Sequence, residues 1–402
     1  MNLRDTQLLQ PLKNMRITFW GVQGSCPLFP APHEVEQYAK RISLDVLQRV
    51  FQDIDQKAKA GHCSAEQFLG GPITPHSVEQ YYKRLGMPEV PVYGGETTCI
   101  EVETSDGYII ILDGGSGIRH CALNIENNKW KNKKNRELYV FGSHEHLDHR
   151  SGLPFARICF ARPDPFKLHI YGSNPFLTAL DDRFALFSHI ITPSTHLDDP
   201  LDYRMMSAKF KAYEISNPDE KEPLPEPSPH WDRLDIRETI QIGKTTIKAF
   251  DVYHGMTRCL AYKLEHNDKT FIFCTDHETR HPAEGTTDQK QRISLAADNR
   301  ITTYSMNADV AYFDGQYFLA EYQGQKGIGS SPPVPRLDWG HSCIEDVIER
   351  AEKCRIKRTF IGHHDPERDW GDRMRIDAEL AAVCKGKDYH IELAKGGAVV
   401  DL

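Results

Sequence analysis

Leu138-Tyr139-Val140-Phe141-Gly142-Ser143-His144-Glu145-His146-Leu147-Asp148-His149 is the stretch on which the reading of this chain turns. An apolar run with the look of a strand ends, and residues 144–149 then hold three imidazoles and two carboxylates. Imidazole and carboxylate are the ligands that borderline divalent cations such as zinc prefer, and crowding them on one turn brings no folding benefit. The turn therefore reads as part of a metal site. One turn cannot enclose an ion, so more ligands are expected at other strand ends facing the same mouth. His254 closes the run from Phe250, Asp276 the run from Phe271, and His363 the run from Thr359. The candidates are then His144, His146, Asp148, His149, His254, Asp276 and His363. They exceed what one tetrahedral ion takes and suit two ions sharing a carboxylate. Zinc is the first expectation, with manganese or iron as alternatives.

The chain has 402 residues, 39% of them hydrophobic and 26% charged, a composition ordinary for a globular enzyme. It holds no apolar stretch near the roughly 20 residues that a membrane helix needs. Residues 1–7 lack the pattern of a secretory signal. Ten cysteines are scattered singly with no Cys-x-x-Cys pair, which fits free thiols in a reducing cytoplasm. A net charge of −8 argues against a broad nucleic-acid surface, because duplex binding rests on many Lys and Arg contacts to phosphate. The one basic run, residues 129–136, reads as a solvated turn before a strand.

Residues 15–22 alternate like a strand and are closed by Gly21, Gly24 and Pro27. Residues 34–59 change to helical spacing, and after Gly70-Gly71-Pro72 a second helix is expected over 78–85. These helices lie in a segment, about 31–91, that looks inserted into one domain spanning 1–402. Strands are expected at 98–103 and 108–112, joined by the Ser105-Asp106-Gly107 turn, and at 138–141, 167–171, 246–252, 260–264, 270–274, 310–313, 358–361 and 390–394. Helices are expected at 344–353 and 373–385, and exposed loops at 217–233 and 323–335. Strands outnumber helices, so two sheets covered by helices is the expected α/β architecture.

With the order His-x-His-x-Asp-His, then His254, Asp276 and His363 at later strand ends, the chain resembles the metallo-β-lactamase superfamily. The resemblance implies a four-layer αββα sandwich carrying the helical insertion. It also implies that His144, His146 and His254 hold one ion, Asp148, His149 and His363 the other, and that Asp276 bridges. Asp113 matches an aspartate that supports the first ligand loop by hydrogen bonding. Within the superfamily the chain is most similar to the ribonuclease Z and bacterial cyclic-nucleotide phosphodiesterase branch. Tyr253-His254 with Ala261-Tyr262-Lys263, Gly340-His341-Ser342, and His363-His364-Asp365-Pro366 carry that similarity. His363 is favoured over His364 as the ligand, because its spacing from His341 resembles that branch, and His364 is then expected to support the ligands or to touch the substrate. His277 and Glu278, beside Asp276, are expected near the mouth.

The expected activity is that of a phosphodiesterase, with a hydroxide shared by two ions attacking a phosphodiester. Asp148 or Asp276 is expected to orient it, and His341 to protonate the departing oxygen. The transfer-RNA-gripping loop of ribonuclease Z is not visible, and with the acidic net charge this favours a small substrate, a cyclic nucleotide above all. A ribonuclease Z-like endonuclease, a carbonyl hydrolase (lactonase, thioesterase or β-lactamase) and a non-catalytic sensor on the same fold are the alternatives. The insertion is a candidate wall of the substrate mouth or face of a homodimer.

Overall fold

A computed structural model describes residues 12–30, 32–62, 64–86, 91–130, 136–159, 166–184, 209–219, 228–282 and 288–402. The reading of residues 1–7, most of the basic run at 129–136, His189 and His196, and the middle of the loop read at 217–233 fall outside them. The chain divides into two compact units, residues 29–91 and the remainder.

The larger unit is built on strands β1 (Met15–Gly21), β2 (Cys99–Thr104), β3 (Ile109–Leu112), β4 (Glu137–Phe141), β5 (Lys167–Gly172), β6 (Lys209–Ser216), β7 (Asp232–Asp235), β8 (Ile240–Ile242), β9 (Thr245–His254), β10 (Thr257–His266), β11 (Lys269–Cys274), β12 (Val310–Asp314), β13 (Arg358–Gly362), β14 (His390–Leu393) and β15 (Val399–Asp401). One sheet has the order β15-β1-β2-β3-β4-β5-β6-β7, and the other β14-β13-β12-β11-β10-β9-β8. Each sheet is antiparallel in one half and parallel in the other. The change falls at β3, which pairs antiparallel with β2 and parallel with β4, and at β11, antiparallel to β10 and parallel to β12.

Side-chain alternation explains the layers, since successive residues of a strand point to opposite faces. Ile110 and Leu112 of β3 and Val310 and Tyr312 of β12 join one core cluster that contains residues of both sheets. Ile109 and Ile111 instead pack with Cys121, Ile125, Phe176 and Leu180 of the helices outside the first sheet. Ala311 and Phe313 pack with Ile301, Val347, Ala351, Ile376 and Leu380 of the helices outside the second. Helix, sheet, sheet, helix is thus the layer order, the αββα sandwich expected from the sequence. Strands buried on both faces read as near-continuous apolar runs, as β3, β11 and β12 do.

The directions of these strands decide where chemistry can occur. β9 and β11 both run antiparallel to β10 and therefore run alike, and β12 and β13 follow β11 in parallel. The carboxyl ends of all four open at one edge of their sheet. In the other sheet β3 and β4 are parallel and end together.

The smaller unit holds helix Pro32–Lys59, a short helix Ala65–Leu69 and helix Pro75–Arg84. The short helix was not expected from the sequence, although Ser64 and Gln67 form a reciprocal capping box at its start. Thr74 caps the third helix ahead of Pro75. The Tyr81 hydroxyl donates to Asp53 at 2.7 Å and ties the third helix to the first.

Candidate metal centre

β4 ends at Phe141, and the chain turns through Ser143 to His146, which starts the one-turn helix Leu147–Arg150. Two hydrogen bonds fix this turn to β10 of the other sheet: Tyr262 donates to the Gly142 carbonyl at 2.6 Å, and the Leu260 amide donates to the Ser143 carbonyl at 2.9 Å. Asp113, just past β3, is fully buried and gathers the turn. It accepts from the Ser143 amide at 2.7 Å, from the Ser143 hydroxyl at 2.8 Å and from His149 Nδ1 at 2.6 Å.

Two groups of ligand atoms face each other here. In the first, His144 Nε2 and His254 Nε2 lie 3.5 and 3.6 Å from Asp276 Oδ2, and His146 Nδ1 is 3.2 Å from His254 Nε2. In the second, His149 Nε2 and His363 Nε2 lie 3.2 and 3.3 Å from Asp276 Oδ1, and each is 3.2 and 3.1 Å respectively from Asp148 Oδ2. Asp276 meets one group with each of its oxygens. The backbone sets this up, because Asp113, Asp276 and His363 all sit at positive φ (62°, 36° and 54°) although none is glycine. Such conformations cost energy and concentrate where a site demands them.

The residues fit a bound cation. Nε2 of His144 and Nε2 of His149 are buried and have no hydrogen-bond partner among the described residues, even with carboxylate oxygens so near. Ligand atoms held at about 2.0–2.1 Å by one tetrahedral ion stand roughly 3.3–3.4 Å apart, the spacing within each group. The opposite ring nitrogens are anchored: His254 Nδ1 to the Gly340 carbonyl at 2.8 Å, His149 Nδ1 to Asp113, and His144 Nδ1 to the Ser143 hydroxyl at 3.0 Å. Anchoring of this kind orients an imidazole toward a metal.

Charge agrees with that geometry. Burial lowers the pKa of His144 far below its usual value and of His254 to about 3, so both imidazoles stay neutral. Burial would raise Asp276, but the charges of His149 and His363 hold it well below the carboxylate range. Burial works against charge on His363 as well, and Asp276 and Asp148 overcome it to carry His363 up to about 9. Burial opposes charge on His149 too, yet Asp276, Asp148 and Asp113 carry it well above its ordinary value, so protons on His149 and His363 balance the two carboxylates and a bound cation would displace them.

His341 lies beside the two groups. Its Nδ1 pairs with Asp314 Oδ2 at 2.7 Å and is 4.0 Å from Asp276 Oδ2, and its ring stacks on His363 with centroids 4.7 Å apart. The ring also lines a cavity of about 420 Å³. Asp314, at the end of β12, was missed from the sequence although it follows the apolar run 310–313, the same signal that marks Asp276 and His363.

Three sequence expectations need correction. His277 does not face the mouth: its Nδ1 accepts the Tyr253 amide at 3.2 Å and its Nε2 pairs with Asp298 at 3.0 Å. Glu278 is buried and turned inward, accepting from Tyr322 at 2.5 Å and from the amides of Asp338 and Gly340 at 2.8 and 3.1 Å. It holds the segment that presents His341, a role visible only in three dimensions. His364 points away and donates from Nε2 to the Ala394 carbonyl at 2.8 Å, which leaves it as packing and not as a substrate contact.

No protein-family model and no curated protein matches the chain. Solved structures similar to it include a diphosphatase of the PhnP family, 15% identical with a TM-score of 0.49 over 97% of both chains. The metallo-beta-lactamase fold protein YhfI from Bacillus subtilis is 14% identical with a TM-score of 0.47, over 96% of this chain and 99% of that one. The short form of human tRNase Z is 12% identical with a TM-score of 0.48, over 96% of this chain and 98% of that one. None of the roles assigned below rests on them.

Proposed function

We propose that the chain is a metal-dependent phosphodiesterase with a two-ion centre, acting on a small phosphodiester such as a cyclic nucleotide. The observation that carries this is the sharing of Asp276, one oxygen to each of two convergent ligand groups. His144, His146 and His254 would hold one ion, Asp148, His149 and His363 the other, and Asp276 both. Bound there, two divalent ions supply Lewis acidity, lowering the pKa of water and drawing charge from phosphoryl oxygens.

The chain's own residues do the remainder. Asp148 is held in place by the Ser25 amide, which donates to its Oδ2 at 2.8 Å, and so presents a fixed carboxylate to the attacking side. Asp314 takes Nδ1 of His341 and leaves Nε2 as the nitrogen that can give a proton to the departing oxygen. A ribose alkoxide is a poor leaving group and needs that proton. A cavity of about 420 Å³ suits a small ligand better than a folded RNA.

The test is elemental analysis combined with turnover of cyclic nucleotides, bis(p-nitrophenyl) phosphate, a lactone and a β-lactam by the metal-loaded protein. Two metal equivalents and phosphodiester hydrolysis are expected. Asp276→Ala should lose metal, and His341→Ala should keep it while kcat on a cyclic nucleotide falls by about 100-fold or more. A protein that is metal-loaded yet cleaves no phosphodiester sinks the proposal.

A further inference from the structure

The cavity beside His341 is walled by the 331–339 segment, and two of its residues have no part in the chemistry above. Arg336 lies with its guanidinium carbon 4.1 Å from the Trp339 ring centroid and 5.8 Å from that of Tyr317. Its backbone amide is used, donating to the Tyr322 carbonyl at 2.8 Å. Among the described residues its side chain makes no hydrogen bond and no ion pair. Two carboxylates line the same cavity; Asp365 is near enough to feel the Arg336 charge, but neither makes an ion pair with it among the described residues. Glu367 accepts the Ser331 hydroxyl at 2.6 Å, and Asp365 accepts the Glu367 amide at 2.8 Å. Trp339 is 51% exposed, an unusual state for an indole that already has a cation on it.

A guanidinium held over an aromatic ring loses freedom but keeps its donors, which favours bidentate binding of a phosphate. The scissile phosphate is not its target, since that group would be neutralised at the Asp276 centre. Arg336 and His341 line one cavity, and His341 is the residue that serves the leaving oxygen. We infer that Arg336, seated on Trp339, binds a second phosphate carried by the leaving alcohol. The substrate class is then a ribose phosphate whose leaving sugar is phosphorylated elsewhere, either as the second diester of a cyclic dinucleotide or as a terminal monoester. A plain cyclic mononucleotide lacks that group. The leaving-group assignment rests on the phosphodiesterase reading, whereas the phosphate contact does not.

Binding and turnover separate the two. By calorimetry, adenosine 3′,5′-bisphosphate should bind the wild-type protein at least about tenfold more tightly than adenosine 5′-phosphate. Arg336→Gln should abolish that gain, and Arg336→Lys should restore part of it, because an ammonium keeps the charge but not the fork. A gain that persists in Arg336→Gln, or is missing from the wild type, overturns the inference even if the protein hydrolyses phosphodiesters well. In turnover, the ratio of kcat/KM for cyclic diadenylate, or for adenosine 2′,3′-cyclic phosphate 5′-phosphate, to that for 3′,5′-cyclic AMP should fall at least about tenfold in Arg336→Gln. Which of the first two substrates shows the larger fall tells diester from monoester. Absence of all turnover together with a bisphosphate gain that needs Arg336 would sink the phosphodiesterase reading and keep the phosphate site.

Discussion

At the scale of single residues, two glycines matter as much as the ligands. Gly340 has φ +90°, and a Cβ there would stand 2.2 Å from His254 Nδ1. A Cβ on Gly24 would stand 2.5 Å from His363 Nδ1. Each is the space into which an imidazole is pressed, and Gly340 also supplies the carbonyl that orients His254. Gly340→Ala is therefore expected to weaken metal binding by about 10- to 100-fold while the chain still folds, measured by competition with a chromophoric chelator. Unchanged affinity would show that His254 is no ligand. Such roles were hidden in the sequence. His254, Asp276 and His363 were legible because a polar side chain ending an apolar run is conspicuous in one dimension. Gly340 stands in the passage Gly340-His341-Ser342 and Glu278 beside Asp276, but what each does depends on neighbours distant in the chain, which no local pattern shows.

At the scale of elements, helix Ile344–Cys354 links the His341 segment to the stretch after Asp276. Its residue Asp346 caps the start by accepting the Cys343 amide at 3.0 Å, and it also binds His281 Nε2 at 2.9 Å. That hydrogen bond raises the His281 pKa above its ordinary value, against the burial that would lower it. A group whose folded pKa is raised stabilises fully below its unfolded value, about 6.5, and the contribution fades as pH rises through the folded value. Asp346→Asn keeps a capping acceptor but removes the charge. Urea midpoints should then show a larger loss of stability at pH 6 than at pH 9, and an equal loss at both would remove His281 from the account. Long apolar elements and this helix were readable because their patterns are strong. Helix Gln289–Ser305 was not, because it buries a stripe of Ser294, Ala297, Ile301 and Ser305, too small and polar to register as an apolar face. β7 begins inside the loop expected at 217–233 and was passed over, because three of its four residues, Asp232, Arg233 and Asp235, are charged and only Leu234 is apolar. β6, β8 and β15 were also passed over, the last two being three residues each.

At the scale of the whole molecule, the change from period two to period 3.6 near residue 32 made the helical unit visible from sequence. The larger unit holds its own ends together where that segment departs, with the Leu28 amide donating to the Gly95 carbonyl at 2.8 Å. A chain in which residues 29–91 are replaced by a link of about four Gly/Ser residues should fold and take up the same number of metal equivalents. Loss of metal from that chain, by elemental analysis, would show that the helical unit completes the centre. The convergence of strand ends has a further result. His146 and His254 are 108 residues apart in the chain, and Asp148 and His363 are 215 apart, yet each pair meets. Cations at those meeting points would rivet one sheet to the other across very long loops, as a removable cross-link. The full ligand set would exist only once both sheets stand, because residues 144–149 follow β4 of one sheet while His254, Asp276 and His363 lie at strand ends of the other.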